Sequence, residues 1–93
     1  MRQLVWGRTF LRAYNKASQR HPDLNANIER VLQLLVHDPF DPQLRTHKLK
    51  GKLKGAWACS IEHDLRLVFE FVEGTGKEDD ILLIDVGTHE EVY

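Results

Sequence analysis

The stretch Ala56-Trp-Ala-Cys-Ser-Ile-Glu62, His63-Asp64, Leu65-Arg-Leu-Val-Phe-Glu-Phe-Val72 decides the fold. In its first run Trp57, Cys59 and Ile61 alternate onto one face. In its second, Leu65, Leu67, Phe69 and Phe71 do the same, leaving Arg66, Val68 and Glu70 on the other. A period of two is the mark of a strand. Only His63-Asp64 separates the runs, so they form a hairpin. Downstream, Glu73–Asp80 carries Gly74 and Gly76 and reads as a polar turn. Ile81–Ile84 is continuously apolar and Val86 extends it, the pattern of a strand buried on both faces.

Upstream the period changes. Phe10, Leu11, Tyr14 and Ala17 recur at three- and four-residue spacing, which predicts a helix over Thr9–Arg20 with Thr9 as its N-cap. His21-Pro22 breaks it. Leu24, Ile28, Val31, Leu32 and Leu35 make a second stripe, and Pro39 ends that helix close to Asp38. Pro39–Arg45 reads as loop. Arg2–Trp6 alternates weakly and predicts a short opening strand. The order is β-α-α-β-β-β: an α+β fold with a two-helix hairpin packed on a mainly antiparallel four-stranded sheet.

Composition excludes several classes. Ninety-three residues are one domain, 1–93, with 42% hydrophobic and 29% charged residues, which is globular. No apolar run approaches the roughly 20 residues of a membrane helix, and Met1–Phe10 has no apolar core of a signal peptide. One cysteine makes no internal disulfide and fits a reducing cytoplasm. The net charge of −1 hides an asymmetry: residues 1–58 carry +7 and residues 59–93 carry −8. Arg45–Lys54 holds five basic residues, one histidine and no acid, a stretch suited to phosphates or simply to solvent.

The chemistry-bearing residues are few. His21 and His37 sit at helix ends, where structural or solvated roles suffice. Cys59 lies on the apolar face of its strand, as a core thiol does. Cys59, His63 and His89 do not have the spacing of a zinc site, and no helix pattern follows Gly51 and Gly55 to make a phosphate loop. One constellation remains. His47 precedes the sheet, Arg66 alternates away from the core, and His89 follows the last strand. Two imidazoles and a guanidinium beside a lysine-rich run are equipment for cutting RNA without a metal. One imidazole takes the 2′-hydroxyl proton, the other protonates the leaving 5′-oxygen, and the arginine offsets charge on the phosphorane. Histidine titrates near neutrality, which suits both roles. Scattered surface histidines and a salt-bridged arginine are the competing reading of the same residues.

Three motifs add to this: His47-Lys-Leu-Lys-Gly-Lys-Leu-Lys-Gly-Ala-Trp57, Asp64-Leu-Arg66-Leu-Val-Phe69 and Gly87-Thr-His89-Glu-Glu-Val-Tyr93. Together they resemble the RelE/ParE superfamily of bacterial type II toxins, most closely the YafQ branch, with some YoeB and RelE character. The resemblance spans essentially the whole chain. It implies a ribosome-dependent endoribonuclease that cuts mRNA in the ribosomal A site, with no metal or other cofactor. It implies a cognate antitoxin as partner, operator DNA bound only as the toxin–antitoxin complex, and no membrane. It implies His47 and His89 as catalytic base and acid, in either order, Arg66 as the phosphate-stabilising cation and Asp64 as a group that orients or tunes a histidine. Lys48, Lys50, Lys52 and Lys54 would then hold the RNA backbone, and Tyr93, in place of the branch's terminal aromatic, would stack on a base.

The chain departs from the YafQ pattern at Ser60, where that branch has a histidine, at His63, where it has a proline, and at Leu65, where it has a tryptophan. The rival from another class is a ParE-like toxin that shares the fold and poisons DNA gyrase without nuclease chemistry; the paired histidines argue against it. A member that retains only antitoxin binding is the third possibility.

Overall fold

The computed structural model describes residues 2–62 and 64–93, with Lys52 described in its backbone alone; His63 and the side chain of Lys52 lie outside the described residues. Strand β1 (Leu4–Trp6) passes into helix α1 (Arg8–Arg20) through a single residue, Gly7. Gly7, not Thr9, is the N-cap, and no side chain caps the helix. The Gly7 amide donates to the Leu83 carbonyl at 3.3 Å. A Cβ at this position would lie 2.6 Å from the same oxygen, so only glycine fits. That close approach starts the helix earlier than the hydroxyl of Thr9 predicts.

Helix α2 (Leu24–His37) buries Leu24, Ile28, Val31 and Leu35. It ends where the Asp38 amide donates to the Leu34 carbonyl, one residue before Pro39. The Pro39–Arg45 loop contains a 3-10 turn, Pro42–Leu44, capped by the Asp41 carboxylate accepting from the Gln43 amide.

Three strands come from the two alternating runs and the apolar run: β3 (Trp57–Glu62), β4 (Leu65–Val72) and β5 (Asp80–Thr88). A two-residue strand, β2 (His47–Lys48), precedes them. Among the described residues the sheet therefore has five strands rather than four, in the order β1-β5-β4-β3-β2. Strand β1 runs parallel to β5 and the other pairs are antiparallel. A last short helix, α3 (His89–Val92), was not in the predicted order.

The helix layer and the sheet enclose the main core, with Phe10, Leu24, Val31, Leu35, Leu67, Phe69 and Leu83 fully buried. Replacing Phe69 by alanine is expected to cost about 3–5 kcal/mol, a large share of a small domain's stability. A lower urea midpoint at unchanged slope measures it. Cys59 is also fully buried there. Burial pushes its thiol up to about 12, against an opposing pull from Arg66. Alkylation of the native protein near about pH 8 is therefore expected only through unfolding, and urea should release it; reaction at the rate of free cysteine would show an open site.

The sheet's other face carries a smaller cluster. Ala56, Val68 and Val92 are buried there, with Leu49, Leu53 and Ile84 packed against them. The segment after β2 and helix α3 both fold onto this face, which leaves it covered in part and open between them.

Candidate active site

Strand register sets the site. His47 pairs with Ala58, Ala58 with Val68, and Val68 with Asp85, one row across four strands. Ser60, Arg66 and Gly87 form the adjacent row on the same face. Paired residues share a face, so His47 and Arg66 both lie opposite the helices. Lys48 pairs with Trp57 and belongs to the helix face, where its ammonium lies 5.4 Å from the Trp57 ring centre.

Helix α3 brings the third member. Gly87 lets it fold back: a Cβ at Gly87 would meet the Glu91 Cβ at 3.2 Å and the Val92 Cγ1 at 3.3 Å. Thr88 and Glu91 form a capping box. The Glu91 amide donates to the Thr88 hydroxyl and the Thr88 amide to the Glu91 carboxylate. These bonds, the backbone one first, hold the Glu91 carboxyl below its usual range. An Arg20–Glu91 ion pair at 2.9 Å ties α3 to the end of α1. His89 thereby becomes the first residue of a fixed turn.

Tyr93 joins the two histidines. Its ring lies edge-on to His89, centroids 4.4 Å apart, and edge-on to His47 at 6.4 Å. Its hydroxyl is 3.3 Å from His47 Nε2. His47 Nδ1 is 3.0 Å from the Arg45 carbonyl, lifted there by a left-handed Arg45 (φ 54°). A carbonyl only accepts, so Nδ1 carries the proton. When the ring is neutral its lone pair is then at Nε2, facing the tyrosine hydroxyl. Burial raises the Tyr93 phenol, and the charge of Arg66 opposes that. Arg66 is thus within electrostatic reach of the group, half-buried, with Nη1 donating to the Leu65 carbonyl at 3.1 Å.

The remaining predicted residues are placed unequally. Lys48, Lys50 and Lys54 line a cleft of about 420 Å³ together with Gly51, Gly55 and Trp57. Asp64 is not in the histidine group. It is exposed at the β3–β4 turn and lines a separate cleft with Arg20, His21, Asp23 and Thr88. Asp85 was not singled out from the sequence, yet it sits in His47's row, and burial raises its carboxyl. Leu49 and Leu53 were also passed over. Among the described residues, no three His, Cys, Asp or Glu side chains gather as a metal site, and no helix is long and apolar enough to cross a membrane.

This architecture, an α-helical hairpin on a mixed sheet, is the fold of the RelE/ParE-type toxins. Known structures match it across the chain. YafQ from Escherichia coli BL21(DE3) superposes with a TM-score of 0.80 at 20% identity, covering 100% of this chain and 99% of that one. YafQ in the E. coli DinJ–YafQ complex gives 0.78, again at 20% identity, covering 100% of this chain and 99% of that one. A copper-bound mutant toxin from Helicobacter pylori is 31% identical, with a TM-score of 0.72 and 100% coverage of both chains. No curated protein sequence matches. The family model described as the bacterial toxin of type II toxin-antitoxin system, YafQ, matches residues 2–93, and the chain belongs to that family.

Proposed function

We propose that this toxin is an mRNA endoribonuclease that acts in the ribosomal A site and arrests translation. The observation that carries the reading is the meeting of His47 and His89 at Tyr93, on the sheet face that also bears Arg66. His47 Nε2 is the base. The Tyr93 hydroxyl on it marks where a ribose 2′-hydroxyl would sit, and that hydroxyl would displace the tyrosine. His89 protonates the leaving 5′-oxygen, although the two histidine roles are interchangeable on this geometry. The new bond joins O2′ to phosphorus and the bond to O5′ breaks, leaving a 2′,3′-cyclic phosphate and a free 5′-hydroxyl. Arg66 offsets the charge that grows on the phosphorane. This chemistry is complete without a metal ion.

Lys50 and Lys54 hold the backbone from the loop after β2, with Lys48 reaching from the sheet edge. Loss of any one costs about tenfold or less, because phosphate contacts share the load. A cognate antitoxin covers the toxin, as the DinJ–YafQ pairing suggests, and operator DNA is bound only by that complex.

Primer extension on mRNA from induced cells tests the reading. Discrete cuts that vanish with His89→Ala are expected. Uncut mRNA with DNA-damage signalling and filamentation would instead identify a gyrase poison.

A further inference from the structure

Helix α1 lies in the layer over the main core, whereas α3 lies on the sheet's far face, where Val92 is buried beside Val68. One ion pair joins them. Arg20 is the last residue of α1. The His21 amide donates to the Ala17 carbonyl at 2.8 Å and Pro22 follows, so the helix stops there and leaves Arg20 at its rim. The α1–α2 connection, the β3–β4 turn and the end of β5 line one cleft, which brings Arg20 to the side of Thr88. From there its Nη1 reaches Glu91 at 2.9 Å, 71 residues away in the chain. Helix α3 has need of such a tie. Its four residues make a single turn, which does not hold itself in water. The capping box fixes the shape of the turn, and Val92 anchors it at one point. A body anchored at one point can pivot, and the Arg20–Glu91 pair supplies a second point.

We infer that Arg20 is a positioning residue of the active site: through Glu91 it fixes the orientation of α3, and with it the place of His89 relative to His47 and Arg66. The inference rests on the nuclease reading for what that position serves. His89 and Tyr93 move as one with the turn, because the Tyr93 amide donates to the His89 carbonyl at 3.1 Å. The side chains of the pair are partly exposed, 57% for Arg20 and 33% for Glu91, so the pair shifts the balance between docked and undocked α3 by up to about fivefold. An undocked turn leaves Lys48, Lys50 and Lys54 in place to hold RNA. The loss therefore falls on kcat and spares KM. Glutamine at position 91 separates the two duties of Glu91, since a capping box accepts Gln as well as Glu and only the ion pair is lost.

The test measures cleavage of ribosome-bound mRNA by the intact protein. Arg20→Ala and Glu91→Gln are each expected to lower kcat about threefold to fivefold with KM within about twofold. The double variant should match the singles, because both remove one contact. Arg20→Lys should recover most of kcat, and far-UV circular dichroism should show every variant folded. A second readout needs no substrate. Tyr14→Phe leaves Tyr93 as the one phenol in the chain. Burial raises that phenol, so release of α3 brings its titration down toward the ordinary value of about 10. Removing a cation without moving α3 would push it the other way, so a fall in Arg20→Ala reads undocking. Losses that multiply in the double variant, or a Tyr93 transition that does not fall in Arg20→Ala, overturn the inference, whether or not the parent protein cuts. A parent that leaves ribosome-bound mRNA intact removes the nuclease reading, and the titration still decides whether Arg20 holds α3 on the sheet.

Discussion

Alanine in place of His89 is expected to abolish growth arrest on induction, with mRNA cleavage down by about 10²–10⁴-fold, the usual worth of a positioned general acid or base. His47→Ala should do the same. The argument is geometric. His47 is held by its Nδ1 proton on the Arg45 carbonyl, which leaves Nε2 as the sole basic nitrogen. His89 is held by the capping box of a turn that Gly87 admits onto the sheet. Neither ring supports the core: both are exposed, and the main core lies on the opposite side of the sheet. Both variants should therefore fold, with melting temperatures close to the parent's, and should still co-purify with the antitoxin. The double variant should be little worse than either single one, since acid and base serve one transition state. Full growth arrest by both single variants would refute the assignment. An unchanged parent, non-toxic before any substitution, would point to a member retained for antitoxin binding.

What the sequence revealed, and what it hid, follows from element length. The hairpin of β3 and β4 was legible because Leu65, Leu67 and Phe69 keep a period of two over a whole strand and face one core. The two helices were legible from stripes several turns long. Strand β2 was not. It has two residues inside a run of lysines, and no hydrophobic alternation marks it. Its absence from the prediction hid a consequence: pairing of Lys48 with Trp57 turns that lysine away from His47. Helix α3 is a single turn, too short for a stripe, although Thr88-His-Glu-Glu91 spells a capping box. Leu49 and Leu53, four residues apart, were masked by the charges around them. Asp64 stood beside Arg66 in the motif. In the fold it belongs to the turn rather than to the strand row, and it opens onto the cleft at the connection between α1 and α2. The histidine pair was legible as residues and not as a pair. Its convergence needs both short elements, so it emerges only from the folded chain.

Arg66→Ala is the second large loss, about 10²–10³-fold in cleavage, the typical effect of removing one preorganised donor to a developing anion. Arg66→Lys should recover part of it, since a lysine keeps the charge and loses the planar fork. A merely structural arginine would predict a different pair of results, a fall in stability and no rescue by lysine. A second readout separates the two without any substrate. The Arg66 cation favours the ionised form of Tyr93, opposing the burial that raises that phenol. Without the guanidinium, the opposition is gone and the Tyr93 transition moves to higher pH still. Arg66→Lys leaves a positive charge in place and should move it less. Spectrophotometric titration reads this directly, with a Tyr93→Phe variant identifying which phenol is seen against Tyr14. A Tyr93 transition indifferent to Arg66 would mean that the guanidinium does not face the histidine group. Its place over the scissile phosphate would then fall even if cleavage were lost, because the loss would have come from the fold.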